Sequence, residues 1–135
     1  MLILETKRCY LQTLEADKAP LVLEYCDLNQ AFFKPWCPSY EPDFFTQGFQ
    51  YRKLSQAKVE IDAGRLFRLW IFKKTDPHRI IGDIGLSNII RGAFQSCFLG
   101  YKIDQQETRQ GIATETLQCA IQYAFETLDL HRIEA

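Results

Sequence analysis

The chain has 135 residues, enough for one hydrophobic core, and hydrophobic residues make up 47% of it, an ordinary share for a globular domain. A formal net charge of -1 gives no basic field for bulk nucleic-acid binding, and no apolar run approaches the length of a membrane span. The first residues carry no signal-peptide pattern, so the cytoplasm is the predicted compartment.

Two elements and a loop are predicted for the first 42 residues. Alternation predicts a half-buried strand over 8–14. Apolar residues at helical spacing follow, with Asp17 as the predicted N-cap and Asn29 as the stop. Three prolines and several aromatic residues between 31 and 42 predict a loop that either plugs the end of the core or walls a substrate cleft.

A second helix and a meander of three strands are predicted for the middle of the chain. The helix covers 44–63, with Asp43 as its cap and Gly64 as its stop. The strands cover 66–73, 79–90 and 97–103, with turns at 75–78 and 88–94. In the second strand, alternation predicts that Ile81 shares a face with Asp83.

The five cysteines show no metal-ligand spacing and no C-x-x-C pair. They are Cys9, Cys26, Cys37, Cys97 and Cys119. An odd number without such spacing predicts free, mostly buried thiols, and neither a disulfide framework nor a metal site. Cys97 begins a predicted strand, but the sequence shows no nearby histidine that would make it a nucleophilic thiolate.

A polar loop, 104–112, joins the third strand of the meander to a helix predicted over 113–128. The first turn of a helix has unpaired N–H groups and a partial positive charge, which together favour phosphate. Gly111 permits a positive φ and close approach of a ligand, and Arg109 adds a guanidinium suited to phosphate oxygens. Many such joints bind nothing, so the loop alone leaves both outcomes open.

The stretch from Gln110 to Glu115 resembles the acetyl-CoA pyrophosphate loop of the GNAT superfamily, whose pattern is Gln/Arg-x-x-Gly-x-Gly/Ala. Gly111 and Ala113 match the two small positions. Thr108 departs from the pattern, because glutamine or arginine is usual there; Arg109 stands one place along.

Residues 32–36 and 87–101 resemble the ribosomal-protein alanine N-acetyltransferase branch of that superfamily, and the similarity runs from about Thr6 to the last residue. The resemblance implies an α/β fold of the GNAT type: a mixed sheet with an antiparallel meander followed by a β-loop-α-β unit, whose last strand begins near 131. It also implies one N-acetyltransferase domain over 1–135, incomplete at the C-terminus, since the superfamily normally continues with further elements.

The resemblance implies acetyl-CoA as the cosubstrate and direct attack by an amine, without a covalent enzyme intermediate. Loop amides would hold the pyrophosphate, and the end of the preceding strand would pair with the pantetheine arm. The cofactor-binding residues implied are Tyr101, Lys102, Ile103, Thr108, Arg109, Gln110, Gly111, Ile112, Ala113 and Thr114.

The acceptor side is also implied by the resemblance. Asn88 and Arg91 lie in the loop that resembles the family's substrate edge, and Phe33 and Trp36 would form the facing wall. A solvated turn is the alternative role for Arg91, and core packing is the alternative for Trp36.

The sequence assigns no catalytic residue. Asp83 and Glu134 are candidate general bases through their acidity and strand positions. His78 and His131 are predicted to be turn and strand-start residues.

The predicted function is transfer of an acetyl group from acetyl-CoA to the N-terminal α-amino group of a protein, in particular the N-terminal alanine of a ribosomal protein. One alternative is a truncated, catalytically impaired fragment or binding module, and another is an acetyltransferase for a small amine. The predicted partner is a protein N-terminus, with no nucleic acid, membrane or metal. A homo-oligomer could cover the open edge of the predicted sheet.

Overall fold

A computed structural model describes residues 2–36 and 40–135 and contains a six-stranded sheet with helices packed on both faces. Cys37, one of the predicted free thiols, and Pro38, one of the loop prolines, lie outside the described residues. None of the helices in the described ranges is both long enough and apolar enough to cross a membrane.

The order of strands in the sheet follows their order in the chain. The strands are β1 (Ile3–Glu5), β2 (Cys9–Gln12), β3 (Phe67–Lys73), β4 (Asp76–Ile90), β5 (Ser96–Ile103) and β6 (Arg132–Glu134). The helices are α1 (Ala19–Leu28), α2 (Gln30–Phe33), α3 (Gln47–Asp62) and α4 (Ile112–Glu126). Neighbouring strands are antiparallel except β5 and β6, which are parallel. This arrangement confirms the predicted mixed sheet, in which a meander precedes a β-loop-α-β unit.

Each face of the sheet carries its own apolar cluster. Under α1 and α3, Trp70, Phe72 and Ile80 pack with helix residues that include Val22 and Tyr25. On the opposite face, the buried strand residues Leu69, Ile71 and Ile84 pack against Ile112 and Ala120 of α4. Because both ends of the loop before α4 are anchored in this second cluster or at its border, the loop is held against the sheet.

The predicted alternation along β4 was wrong at Ile81. Ile71 lies opposite Gly82, whereas Phe72 lies opposite Ile80, so Ile81 is an extra residue in β4 with no partner of its own. Such a β-bulge breaks the two-residue period of the side chains. Ile81 therefore packs on the α4 face, while Asp83 points to the α1 face, where the Tyr25 hydroxyl contacts it.

Helix starts were the least accurate part of the prediction. Asp17 does not cap α1: it lies in a 3₁₀ turn, Ala16–Lys18, and α1 begins after Lys18 without a side-chain cap. Asp43 does not cap α3, because Thr46 lies closer and its hydroxyl accepts the Phe49 N–H at 3.2 Å. The predicted stops were right: Asn29 follows α1, and Gly64 follows α3 with φ of 75°.

Three smaller differences concern the loops. β1 was not predicted, α2 occupies the start of the predicted loop at 31–42, and β4 extends into both turns predicted around it. The short helix α2 is a single turn that ends before Pro35. Three residues of β1 and four of α2 give too few apolar positions to establish a period in the sequence.

Candidate functional site

The loop before α4 has the backbone conformation predicted for it. Gly111 precedes the first helical residue and adopts φ of 78°, which confirms the predicted positive φ. Arg109 is also left-handed, with φ of 63°, and both residues are exposed. Two left-handed residues in three turn the chain sharply, so the start of α4 faces solvent.

The main-chain N–H groups of residues 111–114 have no acceptor in hydrogen-bonding geometry among the residues that the structure describes. The first intrahelical bond runs from the N–H of Glu115 to the Gly111 carbonyl, at 3.0 Å. Gly111 and Thr114 are exposed and Ala113 is half-buried, whereas Ile112 is 2% exposed. None of these N–H groups is paired with a side chain in the described part of the chain, and such a set of unpaired donors suits the oxygens of a phosphate or diphosphate.

The start of the loop is anchored by a buried polar network that the sequence did not predict. The Asp104 carboxylate accepts hydrogen bonds from Asn29 and Arg79, each at 3.1 Å. Glu107 accepts from Lys73 at 3.0 Å and from Arg79 at 3.1 Å. Both acids are at most 5% exposed, so each is paired as a buried charge requires. The signal for this network in the sequence was weak: two acids three positions apart in a loop. Their partners, Asn29, Lys73 and Arg79, come from other parts of the chain.

The end of the loop is held by a second cluster, formed by Thr6, Arg8 and Glu115. Glu115 Oε2 accepts from the Thr6 hydroxyl at 2.6 Å and from the Arg8 N–H at 2.9 Å. Glu115 Oε1 accepts from Arg8 Nε at 2.7 Å. Burial opposes ionisation of this carboxyl, but the hydrogen bonds from Thr6 and Arg8 outweigh it and lower the pKa of Glu115 to about 2.

Beside the loop, β5 has an open edge. β6 pairs only with Ser96, Cys97 and Phe98, and no other described strand covers the rest of that edge. The Asp104 N–H donates to the Ile81 carbonyl of β4 at 2.8 Å, which sets the alternation along β5. The N–H and C=O groups of Tyr101 and Ile103 therefore point to the open edge. Those of Lys102 point to β4.

A cavity of about 720 Å³ lies on the face of the sheet that carries α1 and α3. Its walls include Trp36, Phe44, Trp70, Arg68 and Lys102. The residue pairing of β4 with β5 sets Lys102 directly opposite Asp83, which also lines the cavity. The cavity thus reaches β5 from one face, close to the stretch whose edge is open.

Asp83 is the buried charge of this cavity. It is 3% exposed, and its Oδ2 accepts a hydrogen bond from the Tyr25 hydroxyl at 2.9 Å. Its Oδ1 lies 3.6 Å from Arg68 Nη1, in ion-pair range but beyond a hydrogen bond. Burial first, and then the Asp83 charge, raise the pKa of Tyr25 well above its usual range, so the hydroxyl stays protonated as a donor.

The predicted acceptor residues separate into two places. Trp36 is 68% exposed and lines the cavity. Phe33 is buried, with Lys102 Nζ 5.3 Å from its ring centroid. Asn88 and Arg91 do not line this cavity: Asn88 is a left-handed residue near the end of β4, and Arg91 donates to the Leu128 carbonyl.

The remaining catalytic candidates lie away from the cavity or lack the required chemistry. Glu134 is paired with Arg132 at 2.7 Å. Cys97 is a free, buried thiol, and burial raises its pKa, which disfavours the thiolate. His131 precedes β6, where its N–H donates to the Gln95 carbonyl at 2.7 Å. Among these candidates, Asp83 lines the cavity, and it lies opposite Lys102 of β5.

The chain belongs to the GNAT acetyltransferase family, since the model of the acetyltransferase (GNAT) domain matches residues 8–135. It is 33% identical over 133 residues to the probable N-acetyltransferase YjcK of Bacillus subtilis, covering 98% of this chain and 73% of that protein. It is 34% identical over 133 residues to the [ribosomal protein uS5]-alanine N-acetyltransferase of Escherichia coli, covering 98% and 68% respectively.

The crystal structure of the ribosomal-protein-S5-alanine acetyltransferase of Vibrio fischeri superposes with a TM-score of 0.91 at 26% identity, over 98% of this chain and 72% of that one. The predicted resemblance to the GNAT superfamily and its ribosomal-protein branch is thus confirmed. The chain is an N-acetyltransferase by family, and acetyl-CoA is the acetyl donor of that family. The loop and the open edge of β5 fit acetyl-CoA. The unpaired N–H groups of the loop offer hydrogen-bond partners for a diphosphate, and the edge of β5 offers partners for an extended chain of amides.

Proposed function

We propose that this chain transfers the acetyl group of acetyl-CoA to the N-terminal α-amino group of a protein, in particular the N-terminal alanine of a ribosomal protein. The observation that carries the proposal is the set of unpaired N–H groups at residues 111–114, next to the open edge of β5. The relative in Escherichia coli, named for ribosomal protein uS5 and alanine, supports the acceptor class.

On the donor side, loop residues 108–114 would bind the diphosphate through main-chain donors, with Arg109 supplying positive charge. The outward N–H and C=O groups of Tyr101 and Ile103 would pair with the amides of the pantetheine arm, as another strand would. Lys102 would contribute through its side chain, because its main chain faces β4. This use of the β5 edge competes with the homo-oligomer predicted from the sequence, since one edge accommodates one strand.

On the acceptor side, the peptide would enter by the cavity beside Trp36; Phe33 is buried and does not line the cavity. Gly85 and Gly100 lie directly opposite each other on β4 and β5, and a Cβ at Gly100 would meet nothing within 4 Å. These two glycines leave a patch without side chains on the cavity's face of the sheet, and Ser87 and Phe98 follow it on the same face towards the turn that holds Asn88 and Arg91. Later residues of an acceptor would contact that turn.

The reaction needs a neutral amine beside a polarised thioester. The amine nitrogen attacks the carbonyl carbon, a C–N bond forms, the C–S bond breaks, and the thiolate takes up the proton that the amine gives up. Asp83 would attract the ammonium form of the acceptor into the cavity through Oδ1, which accepts no hydrogen bond from the described residues. The ammonium would release one proton to solvent before the neutral amine attacks. Trp36, which is exposed, adds an aromatic face that favours a cation, whereas the Trp70 ring already has Arg68 over it at 5.6 Å.

A three-acceptor assay tests the proposal. The purified chain is incubated with acetyl-CoA and a peptide that begins with alanine, the same peptide blocked at its N-terminus, or a polyamine, and mass spectrometry locates any added acetyl group. We expect acetylation of the free peptide at its N-terminus only. Faster acetylation of the polyamine would favour a small-amine enzyme.

Calorimetry with acetyl-CoA separates the remaining alternative. A heat of binding without transfer to any acceptor would indicate a binding module, and the absence of both would contradict the proposed donor site.

A ribosomal-protein acceptor implies action in the cytoplasm, where ribosomal proteins are available as substrates. Fractionation of cells that express the tagged chain checks that point.

A further inference from the structure

Arg8 reaches the loop from the opposite end of the chain. It directly precedes β2, and its side chain makes two hydrogen bonds to the loop and α4. Nε donates to Glu115 Oε1 at 2.7 Å, and Nη1 donates to the Gln110 carbonyl at 2.8 Å. Its own main-chain N–H donates to the second oxygen of Glu115 at 2.9 Å. The two side-chain bonds fix the plane of the guanidinium relative to the loop, and the main-chain bond holds the backbone of Arg8 against Glu115.

The third nitrogen of this guanidinium, Nη2, has no acceptor within the described part of the chain. A Cβ built on Gly111 would lie 3.3 Å from Nη2. Nη2 is therefore beside the bare backbone of Gly111, next to the unpaired N–H groups of 111–114. The Arg8 side chain is 43% exposed, so a ligand at the loop can reach it.

We propose that Arg8 is a binding residue for the diphosphate of acetyl-CoA, donating through Nη2 while Nε and Nη1 hold the loop in place. This inference rests on the proposed function, which supplies the acetyl-CoA. Because Glu115 offsets the charge of Arg8, the contribution of Arg8 is a directed hydrogen bond rather than net charge. A lysine at this position keeps the charge and loses the planar fork, so it cannot make all three side-chain contacts.

The test compares Arg8→Lys with the wild-type enzyme on three donors: acetyl-CoA, acetyl-dephospho-CoA and acetyl-pantetheine. The first two contain the diphosphate, and the third contains no phosphate. We expect KM to rise by about tenfold or more for the first two, as loss of a charge-assisted hydrogen bond predicts. We expect no change for acetyl-pantetheine and no change in kcat.

Arg65→Lys is the matched control. Arg65 also forms a two-bond pair with a glutamate, Glu60, at 2.7 and 3.0 Å, and lies after the end of α3 rather than at the loop. Its KM values should equal those of the wild type. An unchanged KM for acetyl-CoA in Arg8→Lys would overturn the inference. So would an equal loss with acetyl-pantetheine, because that would mean Arg8 only supports the fold.

A second variant keeps the inference testable if lysine disturbs folding. Arg8→Ala, checked by circular dichroism, should regain part of its acetyl-CoA affinity when guanidinium ion is added at concentrations below those that denature the wild type. No recovery in a folded variant would contradict the role of Nη2.

If the wild type transfers acetyl from none of the three donors, the proposed function itself fails, which is a different result from an Arg8 variant that matches the wild type. A rise with acetyl-CoA but not with acetyl-dephospho-CoA would overturn the assignment to the diphosphate in favour of the 3′-phosphate.

Discussion

Gly111 and Gly64 share one backbone conformation and differ in their surroundings. Their φ values are 78° and 75°, both in the left-handed region that penalises a side chain. Alanine at either position should therefore cost about 1–2 kcal/mol of unfolding free energy. For a domain of this size, that corresponds to a fall in Tm of roughly 3–8 °C. The two variants should be destabilised equally.

Only one of the two variants should lose affinity for acetyl-CoA. A Cβ at Gly64 meets nothing within 4 Å, whereas a Cβ at Gly111 lies 3.3 Å from Arg8 Nη2. The exposed Nη2 can shift by the few tenths of an ångström that the added methyl requires, but the methyl keeps a diphosphate away from the backbone. Loss of one charge-assisted hydrogen bond, worth about 1.5–3 kcal/mol, predicts a Kd for acetyl-CoA that rises roughly 10- to 100-fold. Valine at Gly111 should abolish binding.

Thermal melts and titration calorimetry on the same preparations measure both effects. The expected pattern is a similar fall in Tm for Gly111→Ala and Gly64→Ala, with weakened binding in the first variant alone. Wild-type affinity in Gly111→Ala would refute the reasoning, because the loop backbone would then not contact the donor. Equal weakening in Gly64→Ala would also refute it, since the loss would reflect general instability.

Three further predictions follow from the two clusters of charge and from the patch without side chains on the sheet. Glu115→Gln should lower the free energy of unfolding near neutral pH by roughly 1–3 kcal/mol, because the carboxyl has a pKa of about 2 in the fold and about 4.3 when unfolded. In urea titrations, the difference from wild type should vanish as the pH falls from about 5 to 2. A difference that does not change with pH would contradict this prediction. Gly100→Val should fold within about 0.5 kcal/mol of wild type, since a Cβ there meets no atom within 4 Å. It should raise the KM of an acceptor peptide because the new side chain fills the patch left by Gly85 and Gly100; an unchanged peptide KM would exclude this route for the acceptor. Asp83→Asn keeps an acceptor for the Tyr25 hydroxyl and loses the charge, so the peptide KM should rise by about tenfold with the Kd of acetyl-CoA unchanged; a loss of acetyl-CoA binding would place Asp83 in the donor site instead.

The local features of the donor loop were predictable from the sequence. The change from a two-residue to a 3.6-residue period marked the junction of β5 and α4, and the single glycine at 111 marked where the chain turns. Hydrophobic periods likewise located β2 to β5 and the ends of α1 and α3. These properties depend on neighbours within a few positions, so a single sequence contains them.

The contacts that complete the site were decided by tertiary structure. Arg8 and Glu115 are 107 positions apart, and Asn29 and Asp104 are 75 apart, so no spacing rule connects them. The bulge turns Ile81 to the α4 face, away from the face that Asp83 shares with Trp70, and it is visible only in the pairing of β3 with β4. Local chemistry in the sequence thus identifies the candidate site residues. Their hydrogen-bond partners depend on the tertiary structure, because only the folded sheet brings charges that are distant in the sequence within hydrogen-bonding distance.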